Sequence, residues 1–305
     1  MYLVVLLYAL FASVFTVSKT GLSFTQPLFF VGTRMVIAGF LLLAYLFIFH
    51  RRQFAFSKKS LWGLLGLAVF NIYLTNIFEF WGLQYLTSFK ACFIYSLSPF
   101  FSALISYWIF KERMSFKKWA GLLIGFIGFF PILLSETRSE EGLGHLLFLS
   151  WAELAVMLAA ICSVFGWIIL RNLVKDGEMS PLMANGMSMV VGGALALGNS
   201  YFVEDWNPVP VTEAIPFLEC TLLLVIISNM ICYNLYGHLL KKFTATFMSF
   251  AGFTTPLFTA VYGWYFLSEQ ISPSFYVSAA IVFVGLSVFY QEELKTGYTV
   301  VPAEA

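Results

Sequence analysis

Long apolar runs, each interrupted by a short polar or charged turn, set the plan of this chain. Ten such runs can be marked, near Tyr2–Ser18, Leu28–Phe49, Ser60–Phe80, Ala91–Phe110, Lys118–Leu134, Trp151–Leu170, Pro181–Phe202, Ile215–Tyr236, Thr246–Leu267 and Pro273–Tyr290. Most approach the roughly 20 residues needed to cross a bilayer as a helix. A backbone inside lipid must satisfy its own hydrogen bonds, so runs of this length predict helices. The expectation is an all-α polytopic membrane protein with ten transmembrane helices. Most connections are short; the longest, Ser135 to Ser150, lies near the middle, and a polar tail runs from Gln291 to Ala305.

The pattern repeats. Pro99 and Pro256 lie 157 residues apart, and the same offset carries Phe93 to Phe250, Phe101 to Phe258, Glu112 to Glu269, Ser115 to Ser272 and Gly128 to Gly285. Earlier in each half, Pro27 and Gly32 answer Pro181 and Gly186 at an offset of 154. The predicted organisation is a first five-helix repeat over 1–135, a connecting loop over 136–150, a second repeat over 151–290 and a polar tail over 291–305. Five spans enter on one face and leave on the other, so the second repeat is expected upside down. Inverted repeats of this kind are a hallmark of secondary transporters, whose substrate site lies near mid-membrane.

Composition agrees with burial in lipid. The 305 residues are 60% hydrophobic and 11% charged, against about 25% charged in soluble domains. Thirteen lysines and arginines, from Arg51 to Lys295, fall in the turns and tail on one predicted face, and only Lys19, Lys90 and Arg138 on the other. That bias puts both termini in the cytoplasm, as expected for a bacterial inner-membrane protein. The net charge of +1 offers nothing to nucleic acid. The first run has a counterpart in the second half and is read as part of the fold, not as a cleaved leader. The four cysteines (Cys92, Cys162, Cys220, Cys232) lie in apolar runs without metal-ligand spacing and are read as packing residues.

Ionisable groups inside spans are costly and tend to face a partner or a cavity. Asn71, Thr75 and Glu79 follow one another at intervals of four in the third span, which puts them on one helical face. The eighth span carries Asn229 and Tyr233 at the same interval. Each stripe reads either as hydrogen-bonding glue between helices or as the lining of a cavity. Arg34, inside the second span, pairs with a carbonyl or carboxylate in the bundle, in a structural or a substrate role. Lys90 snorkels to the interface, pairs with Glu79 or meets a substrate carboxylate. Glu153 and Glu219, near span ends, read as solvated. Tyr95, Trp167, Phe253, Tyr262 and Trp264 lie deep in their spans and suit either core packing or an aromatic-lined cavity for a planar base or a cation. Pro99 and Pro256 are expected to kink their helices. There is no nucleotide cradle, metal cluster or triad spacing, so no enzyme activity and no cofactor are expected. An intramembrane lipid-handling enzyme and a passive channel are the competing classes.

The proline helix, the Phe-Lys-Glu-Arg-Met-Ser turn, the glycines at 121, 125 and 128, and the second Ser-Glu-Gln-Ile-Ser turn with Gly285 resemble the EamA-like branch of the drug/metabolite transporter superfamily. The departures are Lys111 and Ser268 in place of the usual turn glycine and Gln270 where the first turn has Arg113. The resemblance spans about Tyr2 to Tyr290. It implies two inverted five-helix halves, a central cavity and alternating access for a small metabolite. Amino acids, their derivatives and toxic cations are family substrates, and members in intracellular bacteria carry S-adenosylmethionine. An amino acid or derivative is the expected substrate, with S-adenosylmethionine a candidate and a drug or toxic-cation exporter of the same fold the alternative. The expected site is Arg34, Asn71, Thr75, Glu79, Lys90, Tyr95, Trp167, Asn229 and Tyr233. Glu112 and Glu269 are expected to cap the glycine-rich helices that follow them. The expected partners are the substrate and the bilayer, with the protein a monomer or homodimer.

Overall fold

A computed structural model describes residues 2–51, 60–109, 115–135, 143–147, 149–175, 179–232, 235–236, 239, 243 and 245–295. These residues are predominantly helical. The helices are α1 (Tyr2–Gly21), α2 (Pro27–Phe49), α3 (Leu61–Tyr85), α4 (Ser88–Tyr95), α5 (Ser98–Ile109), α6 (Phe116–Leu133), α7 (Trp151–Lys175), α8 (Pro181–Val203), α9 (Ala214–Cys232), α10 (Ala245–Gly252), α11 (Thr255–Leu267) and α12 (Pro273–Lys295). A two-stranded hairpin, β1 (His145–Leu146) and β2 (Leu149–Ser150), precedes α7 and pairs His145 with Ser150.

Among the described residues, nine helical stretches are long and apolar enough to cross a membrane. The predicted span Thr246–Leu267 is not among them; it is two helices, α10 and α11, separated by a turn at Phe253–Thr254. A like turn separates α4 from α5 at Ser96–Leu97, inside one of the nine, Ser88–Ile105. In both places the proline, Pro99 or Pro256, stands in the first turn of the following helix. There its missing N–H is no loss and its fixed φ suits the helix start. The expected kinks are therefore breaks.

Two compact units divide the chain, one of residues 1–16, 85–154 and 231–305, the other of residues 17–84 and 155–230. Each draws on both halves of the sequence. In the second unit, α2 and α8 cross antiparallel. A Cβ at Gly39 would stand 2.8 Å from the Gly186 carbonyl oxygen, and one at Gly193 would stand 3.0 Å from that of Gly32. Each contact is the other transposed by the 154-residue offset. Glycine is what lets the two backbones approach this closely.

The N-terminus of α2 is held by Glu204, whose carboxylate accepts the N–H groups of Leu28 at 2.6 Å and Phe29 at 2.8 Å. This satisfies two donors a helix start leaves open and sets a negative charge at its positive end. Lys19 does the converse at the end of α3, donating to the Leu83 and Gln84 carbonyls at 2.6 and 2.9 Å.

In the first unit, α6 and α12 also cross antiparallel on glycine. A Cβ at Gly285 would lie 2.5 Å from the Gly125 nitrogen, and one at Gly128 would lie 2.8 Å from the Val282 nitrogen. These contacts are again each other's transposition, here by 157 residues. Phe93 of α4 centres this unit's core, with ring centroids 4.7 Å from Phe129, 5.7 Å from Phe253 and 5.7 Å from Phe275.

Glu269 does not cap the helix that follows it. Its carboxylate accepts the Ser88 N–H and the Ser88 hydroxyl, both at 2.7 Å, and so holds the start of α4 from far along the chain. Ser268 is left-handed, with φ 54°, as it ends α11. Glu112 lies outside the described residues. Glu153 is not solvated but buried, and Trp264 is 61% exposed.

Candidate functional site

The helix α3 changes its winding part-way. It is α-helical over Leu61–Leu67, π-helical over Ala68–Leu74 and α-helical again over Thr75–Tyr85. A π turn moves each hydrogen bond one residue on and strands nearby carbonyls; such turns gather at functional sites. The side chains just after the turn bond back to its carbonyls. Thr75 Oγ1 donates to the Phe70 carbonyl at 2.7 Å, and Asn76 Nδ2 to those of Ile72 and Asn71 at 2.8 and 3.3 Å.

Asn76 is thereby fixed with its Oδ1 free to accept, and it takes a hydrogen bond from Arg34 Nη2 of α2 at 2.5 Å. The guanidinium carbon of Arg34 sits 4.8 Å from the centroid of the Phe80 ring, one turn further along α3. Arg34 is 3% exposed. A buried guanidinium requires hydrogen bonds and negative potential around it. Glu79, half-buried, is the residue before Phe80 in α3.

The other helix of this unit with π winding is α9, over Val225–Cys232. Asn229 lies in it, buried, with Nδ2 3.6 Å from the sulfur of Met189 on α8. Its Oδ1 accepts no hydrogen bond from a described residue. The α3 turn meets the same stretch of α8: a Cβ at Gly192 would lie 2.7 Å from the Ile72 side chain and 2.8 Å from the Ala68 carbonyl oxygen. Residues 189 and 192 share a face of α8. Two π turns thus converge within one turn of a third helix.

The predicted residues are distributed as follows. Arg34, Asn71, Thr75, Glu79, Trp167 and Asn229 belong to this unit. Asn71 and Thr75 both face α7, Asn71 packed on Gly166 and Thr75 3.5 Å from the Ala159 carbonyl. Thr75 is occupied with backbone and Trp167 is 42% exposed.

Lys90 and Tyr95 belong to the other unit. Lys90 pairs with Glu153, not Glu79: its Nζ lies 2.8 Å from Glu153 Oε1 and donates to the Ser135 carbonyl at 2.8 Å. The second carboxylate oxygen of Glu153 accepts from the Ser150 N–H at 2.8 Å, while Ser150 Oγ accepts from the Glu153 N–H at 3.2 Å. That reciprocal pair is a capping box at the start of α7. Tyr95 packs edge-on against Phe15, centroids 6.1 Å apart. Tyr233 lies outside the described residues.

Sequence reading missed Asn76, the residue that positions Arg34. A regular helix turns Asn76 about 100° away from the face of Asn71, Thr75 and Glu79. The available signal was a second asparagine in an otherwise apolar span.

The model of the EamA-like transporter family matches residues 1–134 and 150–291. A protein of Chlamydia muridarum named S-adenosylmethionine/S-adenosylhomocysteine transporter is 39% identical over 293 residues, covering 95% of this chain and 91% of that protein. A Chlamydia trachomatis protein of the same name is 38% identical, with 95% and 88% covered. A solved structure described only as a crystal structure of a protein shares the fold, with a TM-score of 0.66 at 16% identity, covering 97% of this chain and 96% of its own.

Proposed function

Since the chain belongs to the EamA-like transporter family, we propose that this multi-pass membrane protein is a secondary carrier for S-adenosylmethionine and its demethylated product S-adenosylhomocysteine. The observation that carries the substrate is the 39% identity, over 95% of the chain, to a protein named for transport of both. The site is the polar cluster of α2, α3 and α9. Arg34, held by Asn76, takes the α-carboxylate of the substrate. Asn229 Oδ1, buried and open as an acceptor, takes an N–H of the amino or adenine group. Asn71 lines the same region, while Thr75 positions the π turn.

In this reading the protein crosses the inner membrane ten times, α10 and α11 together making the ninth crossing, with both termini in the cytoplasm. The halves are inverted repeats working by alternating access. Support comes from the charge bias of the loops and from the two glycine crossings, at which corresponding helices run antiparallel with transposed contacts. Lys90 is a structural residue, bound to Glu153.

Counterflow in proteoliposomes tests this. Vesicles loaded with unlabelled S-adenosylhomocysteine are expected to accumulate labelled S-adenosylmethionine saturably, and Asn229→Ala to weaken that uptake. Full uptake in both Asn71→Ala and Asn229→Ala would overturn the site. No uptake of any solute in a broad metabolite panel would overturn the carrier class.

A further inference from the structure

The two proposed substrates differ by one methyl group and one positive charge on sulfur. A sulfonium neither donates nor accepts a conventional hydrogen bond, so a protein recognises it by a carboxylate or an aromatic face. Most carboxylates of the described spans and span ends are otherwise engaged. Glu153 holds Lys90 and the Ser150 N–H, Glu204 holds the start of α2, and Glu269 holds the start of α4. Glu219 is exposed. Glu79 is different: it is half-buried inside α3, and no described residue hydrogen-bonds to its carboxylate. Asn76, one turn before it, and Phe80, next to it, both contact Arg34.

Arg34 alone would repel a sulfonium, because Coulomb interactions are strong where water is scarce. A cationic substrate at this site therefore needs a compensating anion close by. Asn76, which holds Arg34, lies three residues before Glu79 on α3, about one helical turn or about 5 Å along the axis. Three carbons separate the sulfur of S-adenosylmethionine from its carboxylate carbon, a comparable distance.

We propose that the Glu79 carboxylate reads the sulfonium charge while Arg34 holds the α-carboxylate of the same molecule, so that this site favours S-adenosylmethionine over S-adenosylhomocysteine. The pair matches both ends of a charge-separated substrate, and charge rather than shape sets the preference. The assignment rests on the substrate reading above.

The test uses the full chain in proteoliposomes and measures each compound's half-inhibitory concentration against labelled S-adenosylhomocysteine uptake. The readout is the ratio of the two. In Glu79→Gln, which keeps the shape and removes the charge, the preference for S-adenosylmethionine is expected to fall about tenfold or more. Glu79→Asp is expected to restore much of it. An unchanged ratio in Glu79→Gln, or an equal loss for both compounds, would overturn the assignment. If Glu79→Gln carries nothing, the Asp variant decides: a ratio near the wild-type value supports charge reading, and a lost preference refutes it. A wild-type protein that takes up neither compound refutes the substrate reading itself, an outcome separable from all of these.

Discussion

Lys90 and Arg34 are both lone cations in apolar spans, and the fold uses them differently. Lys90 is clamped by Glu153 and the Ser135 carbonyl with its side chain 3% exposed. Arg34 is held by a neutral amide and a ring face, Asn76 and Phe80, on either side of Glu79 in α3. Removing one member of a buried ion pair strands the other and costs about 3–5 kcal/mol. Lys90→Met is therefore expected to lower thermal stability in detergent strongly, and Lys90→Met with Glu153→Gln to recover much of the loss. Uptake by the stabilised double variant should keep its KM; a raised KM would make Lys90 a substrate contact. That these cations sit in spans was legible from sequence. Their partners were not: the place of Glu153 near a span end suggests a solvated carboxylate, yet Lys90 reaches it across 63 positions. Nor was it evident that Glu269 caps α4, because a helix N-terminus attracts whichever carboxylate the fold brings near, not the next along the chain.

Among elements, the proline and glycine positions marked the right places, and the local conformation then went its own way. Pro99 and Pro256 signal helix starts after a break, since each stands in a first turn. The π turns of α3 and α9 had no sequence signature. Slipping a hydrogen bond by one residue changes little locally and is settled by neighbours such as Gly166 and Gly192, against which Asn71 and Ile72 pack. The glycines divide by what surrounds them. A Cβ at Gly121 would come 2.5 Å from the Phe289 backbone nitrogen, whereas one at Gly198 would meet nothing within 4 Å. Gly121→Ala is expected to push α6 from α12 and destabilise by about 1–3 kcal/mol. Gly198→Ala is expected to be neutral or to stabilise by up to about 1 kcal/mol through helix propensity. Thermal unfolding of the purified variants in one detergent compares them directly.

For the whole molecule, loop charge and the repeat carry a topology that labelling can check. Single cysteines placed at Lys58 and at Arg138 are expected to react with an impermeant maleimide from opposite sides of the membrane, Arg138 from outside. The native cysteines are buried and should contribute little background. Reaction of both from the same side would overturn the proposed orientation. The two compact units each mix segments of both sequence halves. Hydropathy cannot reveal this, because it reports which residues prefer lipid and not which helix lies beside which.

The chain's own pattern of apolar runs, turn residues and loop charges pointed to helical membrane spans, its turn motifs carried a resemblance to the EamA-like transporter family, and it placed Arg34, Asn71, Glu79 and Asn229 among the candidates. Those features depend on composition and spacing along one strand, and solvent or lipid acts on them locally. Tertiary structure decided the rest: that Asn76 secures Arg34, that Thr75 serves the backbone of a π turn, that Lys90 belongs to Glu153, and that glycines facing each other bring paired helices together. Each is a meeting of groups far apart in sequence. A polar atom inside the membrane takes the partner that packing brings within about 3 Å, and only the folded chain determines which partner that is.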